Sequence, residues 1–227
     1  MADPNRLVEQ CVSNGLEYLA DSLQYYWPAN FDPDGNYLHT FNENNIALHL
    51  ARSFAEAGFR VWAEVPFYEQ NLWLDFFAYS DTKEIAVALE FKKSIDTPPS
   101  GSLDDLKRLV GIHNGDGLAN SDNAINNAEW IYGIVTVLYS SEFFAWWENP
   151  AGCKDYRPES TRLRAPAYKQ IGEAIAKKAY SHRILPLNKW ETRPARAMYA
   201  HTHAAYALFD ANSISELKSV LLVPQVS

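Results

Sequence analysis

The chain has 227 residues, 47% hydrophobic and 14% aromatic, with no low-complexity tract, which excludes a disordered or fibrous protein and makes a single domain the expectation. Cys11 and Cys153 are its only cysteines, too few for a disulfide scaffold or a cysteine-rich zinc site, and they point to a reducing compartment. No run approaches the roughly 18 apolar residues of a membrane span, and the polar start lacks a basic-then-apolar leader pattern, so a cytoplasmic protein without membrane contact is expected.

Residues 6–27 read as a first helix with a stripe of Leu7, Cys11, Leu16, Leu19 and Leu23. A Pro/Asn/Asp/Gly-rich stretch follows. Its Asp32-Pro33-Asp34-Gly35-Asn36 lacks the remaining ligands of a calcium loop and reads as a turn. A second helix runs from about Phe41 to Ala57 and stops at Gly58, a suitable C-terminal cap. Three strands are expected at Phe59–Tyr68, Leu72–Tyr79 and Glu84–Lys93. After the Thr97–Gly101 break, Ser102 and Asp105 suit the start of a helix through about His113. The apolar run Trp130–Tyr139 reads as a buried central strand. Beyond it come an aromatic segment at Ser141–Trp147, a Pro- and Arg-rich connection, a helix to about Ala179, a strand near Met198–Phe209 and a short C-terminal helix.

Within this order, period-two alternation places Glu90 and Lys92 on one face of the third strand and Asp75 on a face with Trp73, Phe77 and Tyr79 in the second. If Asp81-Thr82-Lys83-Glu84 closes a hairpin, opposed positions sum to 165, and Asp75 then faces Glu90. Like charges so opposed destabilise the pair, whereas a hard divalent cation between them reverses the sign. Glu43 stands at the head of the stripe formed by Ile46, Ala47, Leu50, Phe54 and Ala57 and points toward whatever that helix packs on. Plainer readings exist for each residue. Thr40 and Glu43 have capping-box spacing, Glu90 and Lys92 make a same-face ion pair, and Asp75 bonds loop amides. Taken together at one place, the four residues favour a site.

Glu43 in Asn42-Glu43-Asn44-Asn45-Ile46, Asp75 in Trp73-Leu74-Asp75-Phe76, and Glu90-Phe91-Lys92 on the next strand give a pattern that resembles the PD-(D/E)XK nuclease superfamily, with Leu74 where the motif's name has proline. The resemblance implies an α/β fold with a restriction-endonuclease-like αβββαβ core, a mixed central sheet flanked by helices. That core would cover about residues 41–139 of one domain, with an N-terminal helical extension (1–40) and a C-terminal basic extension (140–227). It implies Mg2+ or Mn2+ held by Asp75, Glu90 and the Phe91 carbonyl, with Glu43 completing the ligands or holding a metal-bound water. Lys92 would position the attacking water for phosphodiester hydrolysis, with DNA the favoured substrate. The alternative is a catalytically inactive nuclease-fold protein that serves as a binding or assembly module.

The net charge of −8 counts against a nucleic-acid partner, but it is unevenly spread. Residues 1–150 carry 8 Lys/Arg against 22 Asp/Glu, and residues 151–227 carry 12 against 6. Lys93, Arg162 and Arg164 are the candidate phosphate contacts, with Lys154, Arg157, Lys169, Lys177 and Lys178 as an extension or a solvated face. His201 and His203 share a strand face without a third ligand in view. Phe143, Phe144, Trp146 and Trp147 suit core packing, base stacking or a homodimer or partner contact.

Overall fold

The computed structural model describes residues 3–29, 43–67, 72–92, 99–114, 127–138, 146–150, 166–187 and 203–221. Asp3 starts the first helix. Its carboxylate accepts from the Asn5 amide at 3.1 Å, and Pro4 takes the first helical position, where a missing N–H costs nothing. The resulting α1, Pro4–Ala29, runs past both ends of the expected 6–27. It buries Val8, Cys11, Val12, Leu16, Leu19 and Leu23. α2, Glu43–Glu56, ends as Gly58 implied. That residue sits at φ +84°, and the Gly58 and Phe59 amides bond back to the Ala55 and Phe54 carbonyls at 2.9 and 3.0 Å, which satisfies the helix end. Gly15 lets α1 close on α2, since a Cβ there would lie 2.9 Å from Leu50 Cα.

β1 (Arg60–Phe67), β2 (Leu72–Ser80) and β3 (Ile85–Lys92) follow, then α3 (Pro99–His113) and β4 (Glu129–Leu138). The described remainder supplies α4 (Pro166–Lys178), β5 (Ser181–Pro186), β6 (His203–Asp210) and α5 (Ala211–Leu221). The strands form one six-stranded sheet in the order β1-β2-β3-β4-β6-β5. Only β3 and β4 run parallel, and the other neighbouring pairs are antiparallel. The fold is therefore α/β with a mixed sheet flanked by helices. β4 is central, as its apolar run implied.

Each face of the sheet is covered. Phe76, Ala78, Val87, Leu89 and Phe91 pack with α1 and α2, whereas Phe77, Tyr79, Ala86, Ala88 and Ile134 pack with α3, α4 and α5. On the second face the small Ala86 and Ala88 of β3 let rings from both neighbouring strands meet above them. The Phe77 and Trp130 centroids are 5.9 Å apart, and Trp130 stacks on Tyr132 at 5.8 Å. Trp146 and Trp147 are buried, and the Trp147 indole donates to the Tyr206 carbonyl at 3.2 Å. They belong to the core and are not available for base stacking or a partner.

On the first face the sheet centre depends on Gly133, paired with Leu89 and Leu208. A Cβ there would lie 2.6 Å from Leu208 Cδ2, 2.9 Å from Leu89 Cδ2 and 3.0 Å from the Ala207 carbonyl. Gly133→Ala is expected to cost about 1–3 kcal/mol by overpacking, lowering the thermal midpoint by about 2–4 °C per kcal/mol for a chain of this size. An unchanged melting curve would contradict this packing.

Two elements depart from the sequence expectation. α3 begins at Pro99, three residues before Ser102, because a proline suits the first turn. Ser102 and Asp105 thus lie inside the helix, 3% and 1% exposed, and do not cap it. β5 was not expected at all, since Ser181-His182-Arg183-Ile184-Leu185-Pro186 is a short edge strand with a half-exposed pattern and gives no clean alternation. The 198–202 part of the expected last strand lies outside the described residues.

Candidate functional site

β2 and β3 pair from Ser80↔Ile85 to Phe76↔Leu89, every pair in the 165 register. Beyond Phe76 a side chain continues the ladder, as the Phe91 amide donates to Asp75 Oδ2 at 2.6 Å. The β1–β2 ladder is interrupted at the same point. Ala63 pairs with Phe76 and Val65 with Leu74, and between them Glu64 sits at φ +53°, a region that non-glycine residues rarely occupy. Leu74 packs with Phe77 and Tyr79, and Phe76 packs on the opposite face. Strict alternation is therefore broken at Asp75. Leu74 thus departs from the alternation that would set it on the face of Phe76, and it does so beside the strained backbone of Glu64.

The Asp75 carboxyl nonetheless lies near that of Glu90, close enough for its charge to act on it. Glu90 is 1% exposed. Its Oε1 accepts from Arg108 Nη1 at 2.7 Å, and the same nitrogen donates to the Trp73 carbonyl at 3.1 Å. Glu90 Oε2 is buried and has no donor among the described residues. Burial, reinforced by the Asp75 charge and opposed by Arg108, pushes the Glu90 carboxyl up to about 9. Metal-free Glu90 therefore holds its proton at neutral pH.

Lys92 lies beside them, and its Nζ is 2.9 Å from Asp105 Oδ2. Asp105 Oδ1 accepts from Arg108 Nη2 at 3.2 Å. Burial pushes the Asp105 carboxyl up to about 6, against the pull of Lys92 and Arg108. Burial opposes the Lys92 ammonium as well, yet the carboxylates of Asp105, Glu43 and Asp75 outweigh it and raise its pKa. Glu43 therefore acts on the site through Lys92, from the first turn of α2, even though the α2 stripe packs on the sheet face away from α3. Asp105 and Arg108 were not among the sequence candidates. Their signal was present, since Asp105 interrupts the buried stripe Ser102, Leu106, Leu109 and Ile112 of α3.

With every group ionised, Asp75, Glu90, Asp105 and Glu43 oppose Lys92 and Arg108, leaving a formal charge of −2. Among the described residues no group of three or more His, Cys, Asp or Glu closes around a common point. Two adjacent carboxylates with a donorless buried oxygen still suit a hard divalent cation, which completes its coordination with water. Asp75, Glu90 and the Phe91 carbonyl are the groups that would hold it.

Lys93, Lys154, Arg157, Arg162, Arg164, Thr40, the Asp32–Asn36 stretch, Phe143, Phe144 and His201 fall outside the described residues. Lys177 lies 3.7 Å from Glu173, and Lys178 pairs with Glu216, which fits a solvated helix face. No helix among the described residues is long and apolar enough to cross a membrane. Comparison of the chain with protein-family models, with curated proteins and with solved structures finds no match.

Proposed function

We propose that the chain is a divalent-metal-dependent nuclease of the PD-(D/E)XK type, hydrolysing phosphodiester bonds of nucleic acid, DNA favoured. The observation that carries this reading is the nearness of Asp75 to Glu90 beside Lys92, with Glu90 Oε2 buried and without a donor among the described residues. The order α2-β1-β2-β3-α3-β4 over Glu43–Leu138 supports a restriction-endonuclease-like core. Trp73, two residues from Asp75, is 54% exposed, and Trp62 on β1 is 46% exposed. Both are accessible for stacking against bases.

When bound, Mg2+ or Mn2+ supplies Lewis-acid activation of water and of the scissile phosphodiester. Asp75 and Glu90 would hold that ion, Glu90 after losing the proton that burial favours on it. Lys92 keeps its charge in a half-buried position, where an ammonium stabilises a developing phosphate anion more strongly than it would in water. Asp105 and, more weakly, Glu43 support the charge of Lys92.

A second reading has an observation in its favour. Arg108 occupies Glu90 Oε1 and Asp105 occupies Lys92, so the charges are partly satisfied from within, as in a nuclease-fold module that binds without cutting. Incubation of single- and double-stranded DNA and RNA with the purified chain, in Mg2+ or Mn2+ and in EDTA, separates the two. Metal-dependent cleavage supports the first. Absence of cleavage in every combination, with no metal binding, supports the second.

A further inference from the structure

We propose that Asp105 is a positioning residue that draws the Lys92 ammonium away from Asp75 and Glu90, keeping the cation place between those carboxylates open. The role rests on the metal reading above. Glu90 and Lys92 project from the same face of one strand two positions apart, and the Asp75 charge also acts on Lys92. An ammonium on a four-carbon stem is the nearest competitor for a place suited to a divalent ion. With nothing to hold it elsewhere, Lys92 would turn to the donorless Glu90 Oε2 and fill that place with its own charge.

α3 prevents this. Lys92 Nζ lies 2.9 Å from Asp105 Oδ2, and its stem runs along the start of the helix, where a Cβ on Gly101 would meet Lys92 Cε at 3.8 Å. Asp105 is itself fixed. Its other oxygen accepts from Arg108 at 3.2 Å, and at 1% exposure it has no route to solvent. Arg108 in turn holds Glu90 by Oε1 and the end of β2 through the Trp73 carbonyl. The helix thus takes one oxygen of Glu90 and pairs with the Lys92 ammonium, leaving Glu90 Oε2 without a donor among the described residues. Glu43 and Asp75 also act on Lys92, each less strongly than Asp105.

The test is a double-mutant cycle on Mn2+ affinity, read by the electron paramagnetic resonance signal of free Mn2+, with Asp105→Asn, Lys92→Met and the double variant. Asp105→Asn is expected to bind at least about tenfold more weakly than the wild type, Lys92→Met within about threefold of it, and the double variant to recover most of the loss, a non-additive cycle. A general effect of charge gives instead an additive cycle, with Lys92→Met tightening binding as much as Asp105→Asn weakens it. An additive cycle, or unchanged binding by Asp105→Asn, overturns the role of Asp105 and leaves the metal reading standing. Absence of Mn2+ binding by the wild type overturns the metal reading and this role together. Misfolding of Asp105→Asn would not be rescued by removing Lys92, so a double variant as weak as Asp105→Asn also counts against the proposal.

Discussion

Asp75→Asn and Lys92→Met are each expected to lower metal-dependent phosphodiester cleavage by on the order of 10²–10³-fold, the usual effect of removing one group that stabilises charge in a transition state. The choice of substitutions matters because Asp75 has a second role. Its Oδ2 accepts from the Phe91 amide at 2.6 Å where the β2–β3 backbone pairing stops. Truncation to alanine would leave a partly buried amide without a partner. Asparagine keeps an acceptor there and removes only the charge, so its thermal midpoint is expected to stay near that of the wild type while cleavage falls. Lys92→Met keeps the apolar stem along α3 and removes the ammonium. Cleavage rates within about threefold of the wild type, a difference well below one lost charge contact, would show that neither residue takes part in the chemistry.

Mn2+ affinity is expected to rise steeply with pH, by about tenfold per unit up to about pH 9, because an ion held by Glu90 must displace a proton from a carboxyl raised to about 9. Between pH 6.5 and 8.5 this amounts to about 100-fold, measured by titration with Mn2+ at each pH. The stability of the metal-free protein has the opposite slope. A carboxyl whose folded-state pKa lies above the usual value contributes stability that is complete below about 4.5 and is lost as pH rises through about 9. Asp105, raised to about 6 by burial, acts in the same direction in the lower part of that window. Glu90→Gln resembles the protonated carboxyl at every pH. The variant is therefore expected to melt several degrees above the metal-free wild type at pH 8 and near it at pH 4, at about 2–4 °C per kcal/mol for this size. Mn2+ affinity that is flat with pH, or equal melting curves at pH 8, would place the proton elsewhere.

What the sequence made readable follows from which signals are local. The hairpin register came from the length of the Asp81–Glu84 loop alone, and the ladder obeys it from Ser80 to Phe76. Gly58 marked the end of α2 because only the last helical turn and the two residues after it decide a cap. The nearness of Asp75 to Glu90 followed from the register, but the break in alternation at Asp75 did not. Alternation assumes an unbroken strand, and the left-handed Glu64 on β1 is a property of the neighbour. No pattern within β2 announces it.

Asp105 was misread for a different reason. Its spacing from Ser102 fits a capping box, and the start of α3 at Pro99 converts both residues into buried positions. The argument that singled out Glu43, an acid within an apolar helical stripe, applies equally to Asp105. Arg108 then follows as its partner three residues on, at helical spacing. β5 gave no such signal, because an edge strand with a half-exposed pattern is held by its pairing with β6 rather than by its own periodicity.

The central claim is that Asp75 and Glu90 share one divalent ion. Crystals of the chain soaked in Mn2+ and measured at the manganese absorption edge test it most directly. The expected result is one anomalous peak between the two carboxylates, with Glu90 Oε2 as a ligand and Lys92 still on Asp105. Anomalous density at other carboxylates, with none between Asp75 and Glu90, would contradict it.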